Sequence, residues 1–215
     1  MIRSKPFWDK QAARYAKSPI ADEGAYAETL GRVRSYLRPA DRVLELGCGT
    51  GTTALKLADA VAHVTASDIS GEMVRIGQEK AARQGVTNVD FLAAEPGDAA
   101  LSKGGPYDVV MAFNLLHLIE DMPKALREMA KLVRPGGLFI SKTFCRPGPG
   151  EANFEYRMTR LALPLMQLVG KAPHVAFMPI QTLESEIEAT GLKIIETGNY
   201  PARPPRRFIV ARKPE

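Results

Sequence analysis

Cysteine is scarce in this chain of 215 residues, where it occurs only as Cys48 and Cys145. Two cysteines cannot build a disulfide framework, and neither belongs to a CxxC pair or a Cys/His cluster. A zinc site is not expected, and a reducing, cytoplasmic compartment is. Long apolar runs are missing too. Nothing approaches the ~20 residues of a membrane-spanning helix, and the opening MIRSKPFWDK lacks the hydrophobic region of a secretory signal. There is no internal repeat, no low-complexity linker, no RNA-binding motif and no aromatic stacking platform, so a nucleic-acid partner is not expected. The three histidines form no triad and no metal-ligand spacing.

What is present is ordinary in amount, with 45% hydrophobic and 25% charged residues. These proportions suit one globular domain. The net charge of +5 gathers partly in ARPPRRFIVARK (202–213). A solvated terminal strand is the plainer reading of that stretch, and attraction to an anionic surface the sharper one.

Two helices are predicted first, over 7–20 and 22–39, with Tyr26, Leu30, Val33 and Leu37 on one face of the second. Alternation follows. RVLEL (42–46), HVTASDI (63–69), VDFLAA (89–94), YDVVMAF (107–113) and LFISKTF (138–144) read as strands. Helical patterns separate several of them, one opened by Ser70 and closed by Gly85, another over 123–133 ended by Pro135-Gly136-Gly137. Repeated strand–helix–strand units imply an α/β, doubly wound, mostly parallel sheet. The tail departs from this. After a helix in TLESEIEATG, two strands (LKIIETGNY and RRFIVARK) are joined only by PARPP, too short for a helical crossover, so the last strand is antiparallel. The expected organisation is one domain with a helical N-terminal lid (1–38), a binding core (41–145), a helical cap (146–180) and a C-terminal helix and strand pair (181–215).

The chemistry gathers where the first strand ends, in GCGTG (47–51). In an open α/β sheet, ligands bind beyond the carboxyl ends of the strands. The dinucleotide fingerprint is G-x-G-x-x-G, but these glycines run G-x-G-x-G. Glu45 would also repel a pyrophosphate. Asp68, at the end of strand two, can accept hydrogen bonds from ribose hydroxyls. The site therefore wants a ribose, a cationic or amine-bearing group and no phosphate, a description met by S-adenosylmethionine.

VLELGCGTG (43–51), SDIS (67–70), YDVV (107–110) and RPGG (134–137) together resemble the class I, Rossmann-like, seven-stranded S-adenosylmethionine-dependent methyltransferases. The resemblance implies that the backbone of Gly47, Cys48, Gly49 and Gly51 passes under the methionine part of the cofactor. By the same resemblance Glu45 orients its amino group, Asp68 holds the ribose, Ile69 or Met73 packs on the adenine, and Asn114 lines the pocket. Relatives carry an acidic residue after strand three for the adenine amino group. AAEPGDAAL (93–101) offers Glu95 or Asp98, and position favours Glu95. Tyr15, with Phe7 and Trp8, resembles a helix folded over the cofactor, though ordinary core packing would explain it too. The product would be S-adenosylhomocysteine.

Methyl transfer from a sulfonium is an in-line displacement, so the enzyme chiefly aligns the partners and excludes water. A base is needed only where the acceptor must lose a proton. His117 is the candidate, as a base or hydrogen-bond partner, against a packing histidine. His63 is expected to be structural; His174 could face the acceptor, though a surface-loop histidine is the plainer reading; no metal is expected. FEYRMTRLALPLMQLVGKAPHVAFMP (154–179) could wall in a lipophilic acceptor, such as a quinone precursor or lipid, near a membrane surface. It could also be a dimer interface, and a helical cap buried on the core is the plainer reading. Pro164 should end or kink its helix. A monomer or homodimer acting on a small or lipophilic molecule is the leading expectation; a cofactor-binding scaffold without turnover is the alternative.

Overall fold

The computed structural model describes residues 4–148, 152 and 154–215. Residues 1–3 of the expected lid and 149–151 and 153 of the expected cap lie outside the described residues.

Two N-terminal helices, α1 (Ser4–Lys17) and α2 (Glu23–Arg34), precede the alternating core. In that core come β1 (Arg42–Leu46), α3 (Thr52–Leu57), β2 (His63–Asp68), α4 (Gly71–Gln84), β3 (Val89–Ala93), α5 (Ala99–Gly104) and β4 (Tyr107–Phe113). It continues through α6 (Met122–Leu132), β5 (Val133–Phe144), α7 (Phe154–Leu168), α8 (Ile180–Glu188), β6 (Lys193–Asn199) and β7 (Arg206–Arg212). The seven strands form one sheet in the order β3-β2-β1-β4-β5-β7-β6. β1 to β5 pair in parallel, while β7 runs antiparallel to both β5 and β6.

Period-two alternation splits the core into two layers. Leu44, Leu46, Val110 and Phe139 face α6 and α8, where Leu126, Met129, Leu183 and Ile187 are buried. Val43, Val64, Met111 and Val210 face Val33 of α2 and Ala54 and Leu57 of α3. Burying each such side chain contributes roughly 1.5–3 kcal/mol. The same alternation turns Glu45 away from the α6 side and into the layer beneath α2 and α3.

Several boundaries differ from those read in the sequence. α1 reaches back at least to Ser4 among the described residues, and Pro6 does not interrupt it. α2 stops at Arg34 and passes into hydrogen-bonded turns before Pro39, which disfavours helix in the residue ahead of it. α6 ends at Leu132, and Pro135-Gly136-Gly137 lies inside β5 rather than closing the helix. The strand register slips there, between Tyr107 and Val109. Gly137 allows it: a methyl group at that position would come 2.9 Å from the carbonyl oxygens of Arg134 and Asp108. The short α5, capped by the Asp98 side chain, was not anticipated. α7 continues through Pro164 to Leu168, so the proline does not end it.

α1 is tied to the core at the N-terminus of α4. The Ser70 hydroxyl accepts from Met73 N–H (3.1 Å) as the α4 cap and donates to Asp9 (2.6 Å). This places an α1 carboxylate at the positive end of α4.

Candidate functional site

The sheet order reverses at β1 and β4. The chain leaves β1 toward β2 and β3, then crosses back to β4 on the other side. The loops after β1 and β4 therefore diverge, and a cavity opens between them at the carboxyl edge. Its volume is about 330 Å³, at the lower end of the ~300–1,000 Å³ range typical of small-molecule sites.

The glycine loop is shaped by three separate close approaches. Gly47, Gly49 and Gly51 all have positive φ, at 66°, 55° and 72°. A methyl group at Gly47 would come 2.7 Å from Leu115, and one at Gly49 would come 3.3 Å from the Tyr15 ring. At Gly51 it would overlap the Phe91 ring. Only Gly47 and Gly49 line the cavity; Gly51 packs inward and starts α3. Gly51→Ala combines left-handed strain of ~1–2 kcal/mol with overpacking against Phe91 of ~1–3 kcal/mol. Its expected outcome is a fall in thermal midpoint with loss of cofactor binding, measured by thermal unfolding with and without S-adenosylhomocysteine. An unchanged midpoint would show that the loop relaxes freely.

Asp68 joins the loop to α4. One carboxylate oxygen accepts from Gly49 N–H and the other from Ser70 N–H, both at 2.9 Å, and the side chain lines the cavity. Burial pushes its pKa up, against these two backbone donors, which favour the charged form. Glu45 lies behind the loop. It is 3% exposed, and Oε2 has no hydrogen-bonding partner among the described residues. Desolvation raises its pKa to about 8, opposed by a hydrogen bond from the Ala54 backbone and reinforced by Asp68. Glu45 is therefore largely protonated at neutral pH.

Ile69 and Met73 line the wall next to Asp68. Glu95 lines it as well, with Oε2 buried and unpartnered among the described residues. Asp98 does not. It caps α5 by accepting from Ala100 N–H (2.9 Å) and faces a neighbouring hollow between α5 and α6. Cys48 is buried behind the lining, its thiol pushed up first by burial and then by Glu45 and Asp68, as suits packing rather than nucleophilic attack. Tyr15 and Trp8 of α1 reach over the mouth, so the N-terminal helix contributes part of the wall.

On the β4 side, Asn114 adopts a positive φ of 52°, a conformation more accessible to Asn than to most residues. Its N–H donates to Lys142 O (2.7 Å), and its side-chain oxygen accepts from Arg206 (3.0 Å). His117 lines the same side, with Nδ1 buried and unpartnered among the described residues. Burial, then Arg206 and His174, lower its pKa to about 4, so it is neutral at pH 7. His63 is remote, paired with Asp90 at the edge of the sheet (3.2 Å). Arg206 is the residue sequence reasoning missed. It is the one cation lining the cavity among the described residues, and it arrives from the start of β7. No local pattern marks it, because only the antiparallel register of β7 on β5 brings it there.

A doubly wound sheet with an antiparallel seventh strand, a glycine loop and an acidic residue ending β2 defines a class of nucleoside-cofactor transferases. The chain matches the family described as a methyltransferase domain over residues 12–197. It belongs to this family, the class I S-adenosylmethionine-dependent methyltransferases. It is 28% identical over 173 residues to a demethylmenaquinone methyltransferase of Clavibacter sepedonicus, covering 75% of this chain and 69% of that one. It is 30% identical over 161 residues to a ubiquinone biosynthesis O-methyltransferase of Methylobacterium nodulans, covering 72% and 61%. Among solved structures, magnesium protoporphyrin IX methyltransferase from Synechocystis, with bound SAH, superposes with a TM-score of 0.70 at 20% identity over 98% of each chain, which shows the shared fold.

Proposed function

We propose that the chain transfers a methyl group from S-adenosylmethionine to a small, lipophilic acceptor by in-line displacement. The observation that carries this reading is the distribution of acidic groups around one cavity. Asp68 faces it, Glu95 lines it, and Glu45 lies buried behind its loop. Two of these three leave an oxygen unpartnered among the described residues. Such a set of acceptors fits a nucleoside that brings hydroxyls and amines, and a carboxylate facing the cavity at Asp68 is unsuited to a pyrophosphate.

In this reading Asp68 accepts from the ribose hydroxyls. The loop from Gly47 to Gly51, with Cys48 filling its interior, passes under the methionine arm, and Glu45 meets that arm's ammonium. Ile69 and Met73 pack on the adenine, and Glu95 accepts from its amino group. Tyr15 and Asn114 close the sides. The bound cofactor supplies an activated methyl whose leaving group departs neutral. The protein's work is to hold the acceptor in line and keep water out. His117, neutral and a weak base, serves as a hydrogen-bonding partner of the acceptor more readily than as its base.

The acceptor side supports a lipophilic molecule. Phe144 lies 6.1 Å from His117, 6.1 Å from Tyr156 and 6.0 Å from Phe177, ring centre to ring centre. The two curated relatives carry quinone names, which favours an aromatic acceptor. Both cysteines are free and buried, which supports a reducing, cytoplasmic setting.

The test is calorimetry with S-adenosylmethionine and NAD, followed by release of S-adenosylhomocysteine across a panel of phenolic, quinol and amine acceptors. Binding of the first ligand alone, with release on a lipophilic phenol or quinol, is expected. His117→Gln should slow transfer while leaving cofactor affinity unchanged. Preference for NAD would overturn the reading, and binding without release on any acceptor would favour the scaffold alternative.

A further inference from the structure

α7 carries its apolar side outward. Its buried residues are Tyr156 and Leu163. Phe154, Leu161, Leu165 and Leu168 are 78%, 76%, 68% and 83% exposed, and Met158 is 47% exposed. These five recur at i, i+4, i+7, i+11 and i+14, so they form a single stripe along the helix. At 100° per residue, Tyr156 and Leu163 fall on the opposite side. A helix resting on a protein normally shows the reverse, with its stripe against the core. A continuous exposed apolar face of this kind marks a surface that something covers.

The charges beside the stripe say what kind of surface covers it. Arg157, Arg160 and Lys171 are exposed. Glu155 is the one acidic residue in the sequence of α7, and no other Asp or Glu follows it until Glu184. A second copy packed stripe to stripe would bring two arginines from each helix together against one carboxylate from each, leaving a net positive seam. A bilayer with anionic headgroups offers both an apolar interior for the stripe and negative charge for its flank.

We propose that α7 lies in the interface of an anionic bilayer, its stripe among the upper acyl chains and Arg157 and Arg160 at the headgroups. No helix among the described residues is long and apolar enough to cross a membrane, so the contact is peripheral. The proposal rests on the reading of a lipophilic acceptor and gives it a source. Tyr156, on the inward side of α7, is 5.5 Å from Phe177 and in ring contact with Phe144, which in turn meets His117 on the cavity wall. Packed rings thus join the docking helix to the cavity wall, on the side from which an acceptor dissolved in the bilayer would arrive.

Flotation of the whole chain with vesicles tests this directly, using phosphatidylcholine alone and an equal mixture with phosphatidylglycerol. Binding to the mixed vesicles and little to the neutral ones is expected, weakened by salt. Leu161→Gln with Leu165→Gln should lower partitioning about tenfold or more, and Arg157→Gln with Arg160→Gln by roughly thirtyfold. All four side chains are exposed, so the variants should fold and keep wild-type affinity for S-adenosylhomocysteine. Retained cofactor binding separates failure here from failure of the methyltransferase reading. Absence of binding to mixed vesicles would overturn the proposal. So would a stable dimer in light scattering that the two leucine changes dissolve.

Discussion

Asp68→Ala should weaken binding of S-adenosylhomocysteine by on the order of 100-fold, the largest effect expected from any single change in the site. Two losses combine. The first is the charge-assisted bond that the carboxylate offers to a ribose. The second is internal, because the same two oxygens hold Gly49 N–H and Ser70 N–H. Without them the glycine loop loses its tie to α4, and two backbone donors are left without this acceptor. Asp68→Asn is expected to do little better, since its amide nitrogen would face one of those N–H groups, donor against donor. Calorimetry reads the affinity, and thermal unfolding without ligand reads the structural share. Unchanged affinity in Asp68→Ala would remove this carboxylate from the cofactor site.

Glu45 should make cofactor binding proton-linked. Its folded pKa, raised by burial to about 8, lies above its ordinary value of 4.5. The unfolded chain therefore gives up this proton at lower pH than the folded one. The group's stabilisation of the fold is full below about pH 4.5 and is lost as pH rises through about 8. Across that window the loss amounts to several kcal/mol. Glu45→Gln should flatten this slope and raise the stability of the ligand-free protein at pH 8. A cationic methionine arm beside Glu45 favours the carboxylate, so binding at pH 7 should release close to one proton. Calorimetry in buffers of different ionisation enthalpy measures that release. Its absence in the wild type, or its persistence in Glu45→Gln, would place the arm elsewhere.

Much of the fold and several residues of the cavity wall were legible in the chain, and for identifiable reasons. The parallel strands announced themselves as short apolar runs between helical patterns. The turn PARPP, too short for a crossover, forced β6 and β7 to be antiparallel. Ser70 and Gly85 behaved as their side-chain chemistry requires, one capping α4 and the other closing it in a left-handed conformation. Asp68, Ile69, Met73, Glu95, Asn114, Tyr15 and His117 all face one cavity, because each follows or covers the carboxyl end of a strand. Boundaries near RPGG and α5 were harder. They depend on a register slip and a side-chain cap that no periodicity encodes.

By itself the sequence determined the doubly wound sheet, the reversed last strand and the glycine loop flanked by Glu45 and Asp68. These are local properties of alternation, turn length and backbone freedom. The tertiary structure alone decided that Asp98 caps α5 instead of lining the cavity, that Arg206 joins its wall, and that Lys142 of β5 donates to Thr29 of α2 at 2.7 Å. It also decided that α7 shows its apolar stripe to the outside. Each of these depends on which faces of distant segments meet, and a linear pattern of polar and apolar residues does not specify that pairing.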